Sequence, residues 1–237
     1  MKAHEAVILA GGRGTRIQHL LHNLPKPMAS VAGRPFLEWV ILLLKDQGVR
    51  RVILSTGYRG EVIEEYFGDG TKWEMDIGYS RDPFPLGTGG AVRQAIGQIR
   101  SGRFLVLNGD SYCRFDLNRL ERTHEKSHAR VTIWLSMMED YRRYGSVEID
   151  AESAIRSFRE KSPEKRGGLV NAGIYLFERT AAEQISERTA TSIETDILPG
   201  LICQGLFAVV GDHPLLDIGT PETFSQATHF MMEEIKT

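Results

Sequence analysis

Ala6-Val7-Ile8-Leu9-Ala10 runs directly into Gly11-Gly12-Arg13-Gly14-Thr15-Arg16. An apolar run without polar alternation reads as a strand buried on both faces, the kind found inside a parallel sheet. The glycines that close it allow positive φ and let backbone N–H groups come close to an anion. Arg13 and Arg16 add planar, fork-shaped donors suited to phosphate oxygens. Further on, Lys26 stands between Pro25 and Pro27, which stiffen the segment and limit where the ammonium can point. No Gly-Lys-Ser/Thr follows, so this is not a Walker A loop. Ile17 occupies the place where a dinucleotide fingerprint needs its third glycine. Taken alone, such a loop is equally a tight turn after a strand.

Outward from this stretch, strand-like and helix-like segments alternate. Residues 36–44 are apolar at helical spacing, with Pro35 at the first helical position. Strands are expected at 51–55, 104–107 and 131–136, and helices at 61–67 and 117–126. The later half carries shorter, β-rich pieces at 146–149, 155–160 and 171–177. Helices at 180–186 and 194–202, a strand at 207–210 and a helix from Pro221 follow. Residues 162–168 are the most loop-like. The pattern predicts the α/β class, with a mostly parallel, Rossmann-like mixed sheet flanked by helices and a small β-rich insertion.

The 237 residues fit one domain, and 41% hydrophobic residues suffice for a sizeable core. A net charge of −2 argues against a nucleic-acid-binding surface, so anion binding must be local. Cys113 and Cys203 are too few for a disulfide framework, and no Cys/His spacing suggests zinc. The run 6–10 is short for a secretory signal, and nothing approaches a membrane span. A cytoplasmic protein with no membrane and no nucleic-acid partner is expected. None of the seven histidines stands in a nucleophile arrangement, and solvated or capping roles are expected for them.

Two aspartates stand out. Asp110 closes Asn108-Gly109-Asp110 at the carboxyl end of a buried strand, the edge where open α/β sheets bind ligands. Asp217 opens Asp217-Ile218-Gly219-Thr220-Pro221, before a predicted helix. Mg²⁺ prefers hard oxygen ligands, one or two carboxylates among them, and two strand-end aspartates can meet at such an edge. Each is equally a turn or cap-side residue when read singly. Thr88, in Pro85-Leu86-Gly87-Thr88, reads as a helix cap. Asp82 is either a solvated loop carboxylate or an acceptor for a guanine edge, whose N1–H and 2-amino groups are donors.

Leu9-Ala10-Gly11-Gly12-Arg13-Gly14-Thr15-Arg16, followed by Pro25-Lys26-Pro27-Met28, resembles the signature of the sugar-phosphate nucleotidyltransferase family. The resemblance implies that the loop covers a triphosphate and that Arg13, Arg16 and Lys26 contact its oxygens. It implies Asp110 and Asp217 as Mg²⁺ ligands. It places the nucleotide along Leu9, Ala10, Gly11, Gly12, Gly14 and Thr15, along Asp82, Pro85, Gly87 and Thr88, and beside Asn108 and Gly109. On the sugar-phosphate side it implies Tyr144, Gly145, Glu160, Lys161, Asn171 and Thr220, with Lys161 on the 1-phosphate. The catalytic set is then Arg13, Lys26, Asp110, Lys161 and Asp217.

The chain divides on this reading into a nucleotide-binding part (about 1–136), a sugar-binding part (about 137–220) and a C-terminal helix (221–237). Residues 85–92 and 108–116 most resemble the D-glycero-α-D-manno-heptose 1-phosphate guanylyltransferases. The shortness of the chain after Asp217 fits that group better than members with a C-terminal β-helix. GTP and a sugar 1-phosphate are the expected substrates and Mg²⁺ the cofactor, and a homo-oligomer is left open. Mannose 1-phosphate, or UTP or dTTP with another sugar phosphate, are the alternatives within the family. A non-catalytic nucleotide-binding regulator is the alternative of another class, although all five signature charges are present. A molybdopterin or cytidylyl transferase would share the opening loop but not Glu160-Lys161 or Asn171-Ala172-Gly173.

Overall fold

The computed structural model describes residues 4–82, 84–140, 144–159, 167–186 and 190–236. In chain order the first part comprises β1 (Glu5–Leu9), the short pair β2 (Ser30–Val31) and β3 (Arg34–Pro35), α1 (Phe36–Asp46) and β4 (Arg51–Thr56). It continues with α2 (Gly60–Phe67), β5 (Asp76–Arg81), α3 (Gly87–Ala95) and β6 (Arg103–Asn108). Then come β7 (Ser111–Tyr112), α4 (Leu117–Lys126), β8 (Val131–Met138), β9 (Ser146–Ile149) and β10 (Ile155–Arg159). The chain closes with β11 (Gly168–Glu178), α5 (Arg179–Glu183), α6 (Leu198–Leu201), β12 (Leu206–Gly211), β13 (Leu216–Asp217) and α7 (Pro221–Glu234).

Four strands, in the order β5-β4-β1-β6, run parallel at the centre of the main sheet. The apolar run at β1 is sandwiched as its composition requires. Ala6 and Ile8 point into the core under α1, α2 and α7, and Val7 into the core under α3, α5 and α6. Helices α1 and α2 cover one face and α3 the other, so strand order reverses between β1 and β6. The loops after these two strands flank a crevice at the switch point, where doubly wound sheets bind ligands. Beyond β6 the long β11 runs antiparallel. It pairs with β8 along one edge, and with β6 and then β9 along the other. The mixed α/β sheet predicted from the sequence is therefore observed, and it is continuous across residue 136, where β8 runs on to Met138.

Some local expectations need correction. Pro35 is the residue before α1 rather than its first turn, with an extended ψ of 140°. Residues 194–202 do not form one helix. A wide π-helical turn (Ile193–Ile197) precedes α6, because Pro199 has no N–H to continue the ladder. The helix predicted over 180–186 is the shorter α5, Arg179–Glu183. Thr88 lies inside α3, which begins at Gly87, and does not cap that helix. The end of the predicted strand at Glu160, together with Lys161 and most of the 162–168 loop, falls outside the described residues.

Candidate active site

The site grows from the carboxyl ends of β1 and β6. Leaving β1, the Gly11 carbonyl accepts from Tyr58 N–H, in the loop after β4, at 3.3 Å. A Cβ on Gly11 would come within 3.3 Å of Gly57 N. Glycine is thus needed where two loops nearly touch. Gly14 has φ +65°, and its missing Cβ makes room for the Lys26 stem. The buried Lys26 side chain is in this way aimed by backbone on one side and by Pro25 and Pro27 on the other.

The Lys26 ammonium donates to Asp110 Oδ2 at 2.6 Å and lies 3.6 Å from Asp217 Oδ1. The two aspartates, far apart in sequence, converge on one cation. Asp110 follows β6 directly. Asp217 is carried there by β13, whose antiparallel pairing with β7 sets Asp217 opposite Ser111. Gly219 N–H donates to Asp217 Oδ1 at 2.6 Å, and a Cβ on Gly219 would collide with that carboxylate. A buried lysine between two carboxylates offsets one of their two negative charges and keeps both acids turned to one point. Two carboxylates so placed suit a hard divalent cation. Among the described residues no group of three or more His, Cys, Asp or Glu side chains forms a metal cage. Any ion here would draw further oxygens from substrate or water.

Two cavities meet at this point. The first, of about 310 Å³, is walled by Leu9, Gly11, Gly12, Asp82, Leu86 and Thr88 among others. The second, of about 530 Å³, is walled by Tyr144, Gly145, Asn171, Gly173, Glu194 and Asp217 among others. Lys26, Asn108 and Asp110 belong to both walls. Asn108 Oδ1 is shut from solvent and has no hydrogen-bond partner among the described residues. Its side chain packs on Gly173, whose φ of +72° and absent Cβ permit the contact.

In the first cavity, Asp82 follows β5, and its N–H donates to the Thr56 carbonyl at 2.9 Å. Its carboxylate accepts weakly from Ser55 Oγ at 3.4 Å. Burial pushes this acid up to about 6, against the lowering effect of Ser55. A carboxylate that is half-buried and poorly supplied with donors is suited to a ligand edge that brings its own. Pro85 and Gly87 line the same wall.

Other expected residues are elsewhere. Arg13 and Thr15 are exposed and on neither wall, and the Arg13 guanidinium lies 5.4 Å from the centre of the Tyr58 ring. Arg16 lines the second cavity, not the first with Gly11 and Gly12. Ala10 is buried, and its N–H is spent on the Ser55 carbonyl. Gly109 is buried against Leu9, whose carbonyl its N–H reaches at 2.9 Å. Thr220 caps α7 in a reciprocal pair with Thr223. Glu160 and Lys161 lie outside the described residues. Sequence reading missed Ser55 and Glu194. Ser55 is hidden inside an apolar strand, and Glu194 looked like an ordinary first-turn helix residue.

The chain matches the family model described as "Nucleotidyl transferase" over residues 5–234. It is 36% identical to the mannose-1-phosphate guanylyltransferase of Mycobacterium tuberculosis, over 93% of this chain and 62% of that protein. It is also 36% identical to the D-glycero-alpha-D-manno-heptose 1-phosphate guanylyltransferase of Campylobacter jejuni, over 96% of this chain and 99% of that one. The crystal structure of HddC from Yersinia pseudotuberculosis complexed with GMP-PN superposes with a TM-score of 0.84 at 32% identity, covering 96% of this chain and 99% of that chain.

Proposed function

This chain belongs to the nucleotidyl transferase family, and we propose that it joins the nucleoside monophosphate of GTP to a sugar 1-phosphate, giving a GDP-sugar and pyrophosphate. One observation carries the reading. Two cavities of ligand size share Lys26 and Asp110, and Asp217, on the wall of the second, comes within 3.6 Å of the same ammonium.

The reacting partners are both anions, and a sugar phosphate is already deprotonated at neutral pH. Catalysis therefore asks for alignment and positive charge rather than a covalent nucleophile or general base. On this reading the first cavity takes the nucleotide, with Asp82 accepting from the guanine N1–H and 2-amino groups. The second takes the sugar phosphate, with Tyr144, Gly145, Asn171 and Arg16 on its wall. Lys26, at the junction, turns from the aspartates to phosphate oxygens, and Asp110 and Asp217 would hold Mg²⁺. When bound, that ion supplies charge neutralisation between the two anions. The Gly11–Arg16 loop must close for Arg13 to reach the departing pyrophosphate. Lys161 is assigned to the sugar 1-phosphate, and Glu160 and Thr220 to the sugar side, by family resemblance alone.

For the sugar we favour D-glycero-α-D-manno-heptose 1-phosphate, on the Campylobacter relative and on the likeness of residues 85–92 and 108–116. The Mycobacterium relative, equally identical, favours mannose 1-phosphate as second reading. The C. jejuni protein is matched over nearly its whole length, whereas the chain spans 62% of the mycobacterial one. A matrix of four nucleoside triphosphates against a panel of sugar 1-phosphates, read by pyrophosphate release, tests this. GTP with the heptose phosphate is expected to give the highest kcat/KM. Preference for another triphosphate, or no release from any pair, contradicts the proposal.

A further inference from the structure

Glu194 belongs to the wall of the second cavity, yet both its oxygens are engaged away from it. Oε1 accepts from Tyr175 Oη at 3.1 Å. Oε2 accepts from Thr88 Oγ1 at 3.1 Å and from Ser192 Oγ at 3.0 Å. The donor directions along these contacts are fixed. Gly173 N–H can only donate, so Asn171 Oδ1 accepts from it at 2.9 Å. Asn171 Nδ2 then faces Tyr175 Oη at 2.8 Å and donates, which leaves the Tyr175 proton for Glu194. From the other side, Ile193 N–H donates to Thr88 Oγ1 at 2.8 Å, which leaves the Thr88 proton for Glu194. Two chains of donors run inward and end on one carboxylate, which accepts on both oxygens and donates to neither.

The two chains start in different cavities. Thr88 is in the first turn of α3, on the wall of the first cavity, and Asn171 is on the wall of the second. Backbone bonds tie the same segment to the same turn. Gly89 N–H donates to the Thr191 carbonyl at 2.7 Å, and Thr191 N–H to the Leu86 carbonyl at 2.9 Å. Tyr175 is fully buried and lines neither cavity, so it transmits rather than binds.

We propose that Glu194 is a positioning residue that couples occupancy of the first cavity, through Thr88, to the orientation of the Asn171 amide in the second. This rests on the assignment of nucleotide to the first cavity. With Nδ2 committed to Tyr175 by one hydrogen and Oδ1 committed to Gly173, Asn171 presents its second N–H and second lone pair in one arrangement only. Movement of the α3 start is relayed to that arrangement through one shared acceptor, and contacts that share a partner are expected to be non-additive.

Hydrogen exchange on the full chain, read with and without GTP and Mg²⁺ and with no sugar phosphate, tests the coupling without needing turnover. In the parent protein, GTP is expected to slow exchange both in the 11–16 loop and in the 168–176 peptide of β11. In Thr88→Val and in Tyr175→Phe, protection of 168–176 is expected to disappear, and in Tyr175→Phe, whose side chain lines neither cavity, protection of the loop is expected to remain. Loop protection without β11 protection in the parent overturns the coupling, as does β11 protection that survives in both variants. Absence of any GTP effect in the parent instead contradicts the nucleotide assignment beneath it. Steady-state kinetics add a second reading. Tyr175→Phe is expected to raise KM for the sugar phosphate about tenfold, with KM for GTP within about twofold. The Thr88→Val/Tyr175→Phe double variant should fall at least about threefold short of the product of the single effects. Equal changes in both KM values, or strictly multiplicative effects, would refute the link.

Discussion

At the scale of single residues, the site depends on what each side chain lacks as much as on what it touches. Asp82 is a half-buried acid with one weak donor, and burial holds it at about 6. If a guanine edge supplies the missing donors, ITP, which lacks the 2-amino group, should bind about tenfold to a hundredfold more weakly than GTP. Asp82→Asn should erase most of that difference, and unchanged GTP-over-ITP preference in the variant would count against the role. Because the bound base favours the ionised acid, KM for GTP should rise as pH falls below about 6 in the parent and stay flat there in the Asn variant. Asp110 presents the complementary case, since among the described residues its carboxylate is paired only with Lys26 and a neighbouring serine. Asp110→Ala should lower kcat by a factor on the order of 10²–10³ or more while leaving the melting temperature within a few degrees. Near-parent turnover in that variant would exclude a metal or charge role at position 110.

At the scale of elements, β11 joins the two halves of the site. Its register shifts between Asn171 and Ile174, where it passes from pairing with β9 to pairing with β6. Gly173 makes the shift with φ +72°, and a Cβ there would stand 2.6 Å from Asn108 Nδ2. Gly173→Ala should therefore destabilise the fold by about 1–3 kcal/mol and move Asn108 and Asn171 together. Thermal unfolding measures this, and an unchanged midpoint would mean the bend tolerates a side chain. This bend also marks what the sequence could convey. The parallel core was legible because β1, β4 and β6 are short apolar runs closed by glycine or polar turns. Asn171-Ala172-Gly173 was recognisable as a motif, but nothing in its spacing announced a bulge, which depends on which strands lie on either side. Thr88 read as a cap because capping is a local property. Its actual partner, Glu194, lies in a segment that helical periodicity misread, since Pro199 splits it. Ser55 was invisible for the opposite reason, being one polar residue at the end of a buried strand.

At the scale of the whole molecule, one buried base and one half-buried acid set how stability answers to pH. His124 is almost wholly enclosed, between Thr132 and Glu178 and near Arg103. Burial, helped by the Arg103 charge, pushes it down to about 4 from an ordinary 6.5. Between those values the unfolded chain binds a proton that the folded one refuses, so stability falls with acidity by up to about 3 kcal/mol. Asp82 acts in the other direction, because the folded acid keeps its proton up to about 6 and the unfolded one only to 3.8. Its contribution falls as pH rises through that window. The parent should thus show a shallow slope of unfolding midpoint between pH 4 and 6.5, and Asp82→Asn a steeper loss on the acid side. An identical slope in both would show that Asp82 does not hold its proton in the fold. The larger consequence of the architecture is that a sheet with its switch point between β1 and β6 gathers residues 26, 110 and 217 at one edge. The most direct test is an anomalous difference map from crystals grown with Mn²⁺, a non-hydrolysable GTP analogue and a sugar 1-phosphate. A metal peak within about 2.2 Å of carboxylate oxygens from both Asp110 and Asp217, with the Lys26 ammonium moved onto phosphate, is the predicted result. A peak held by neither aspartate, with Lys26 still lodged between them beside bound substrates, would contradict the account.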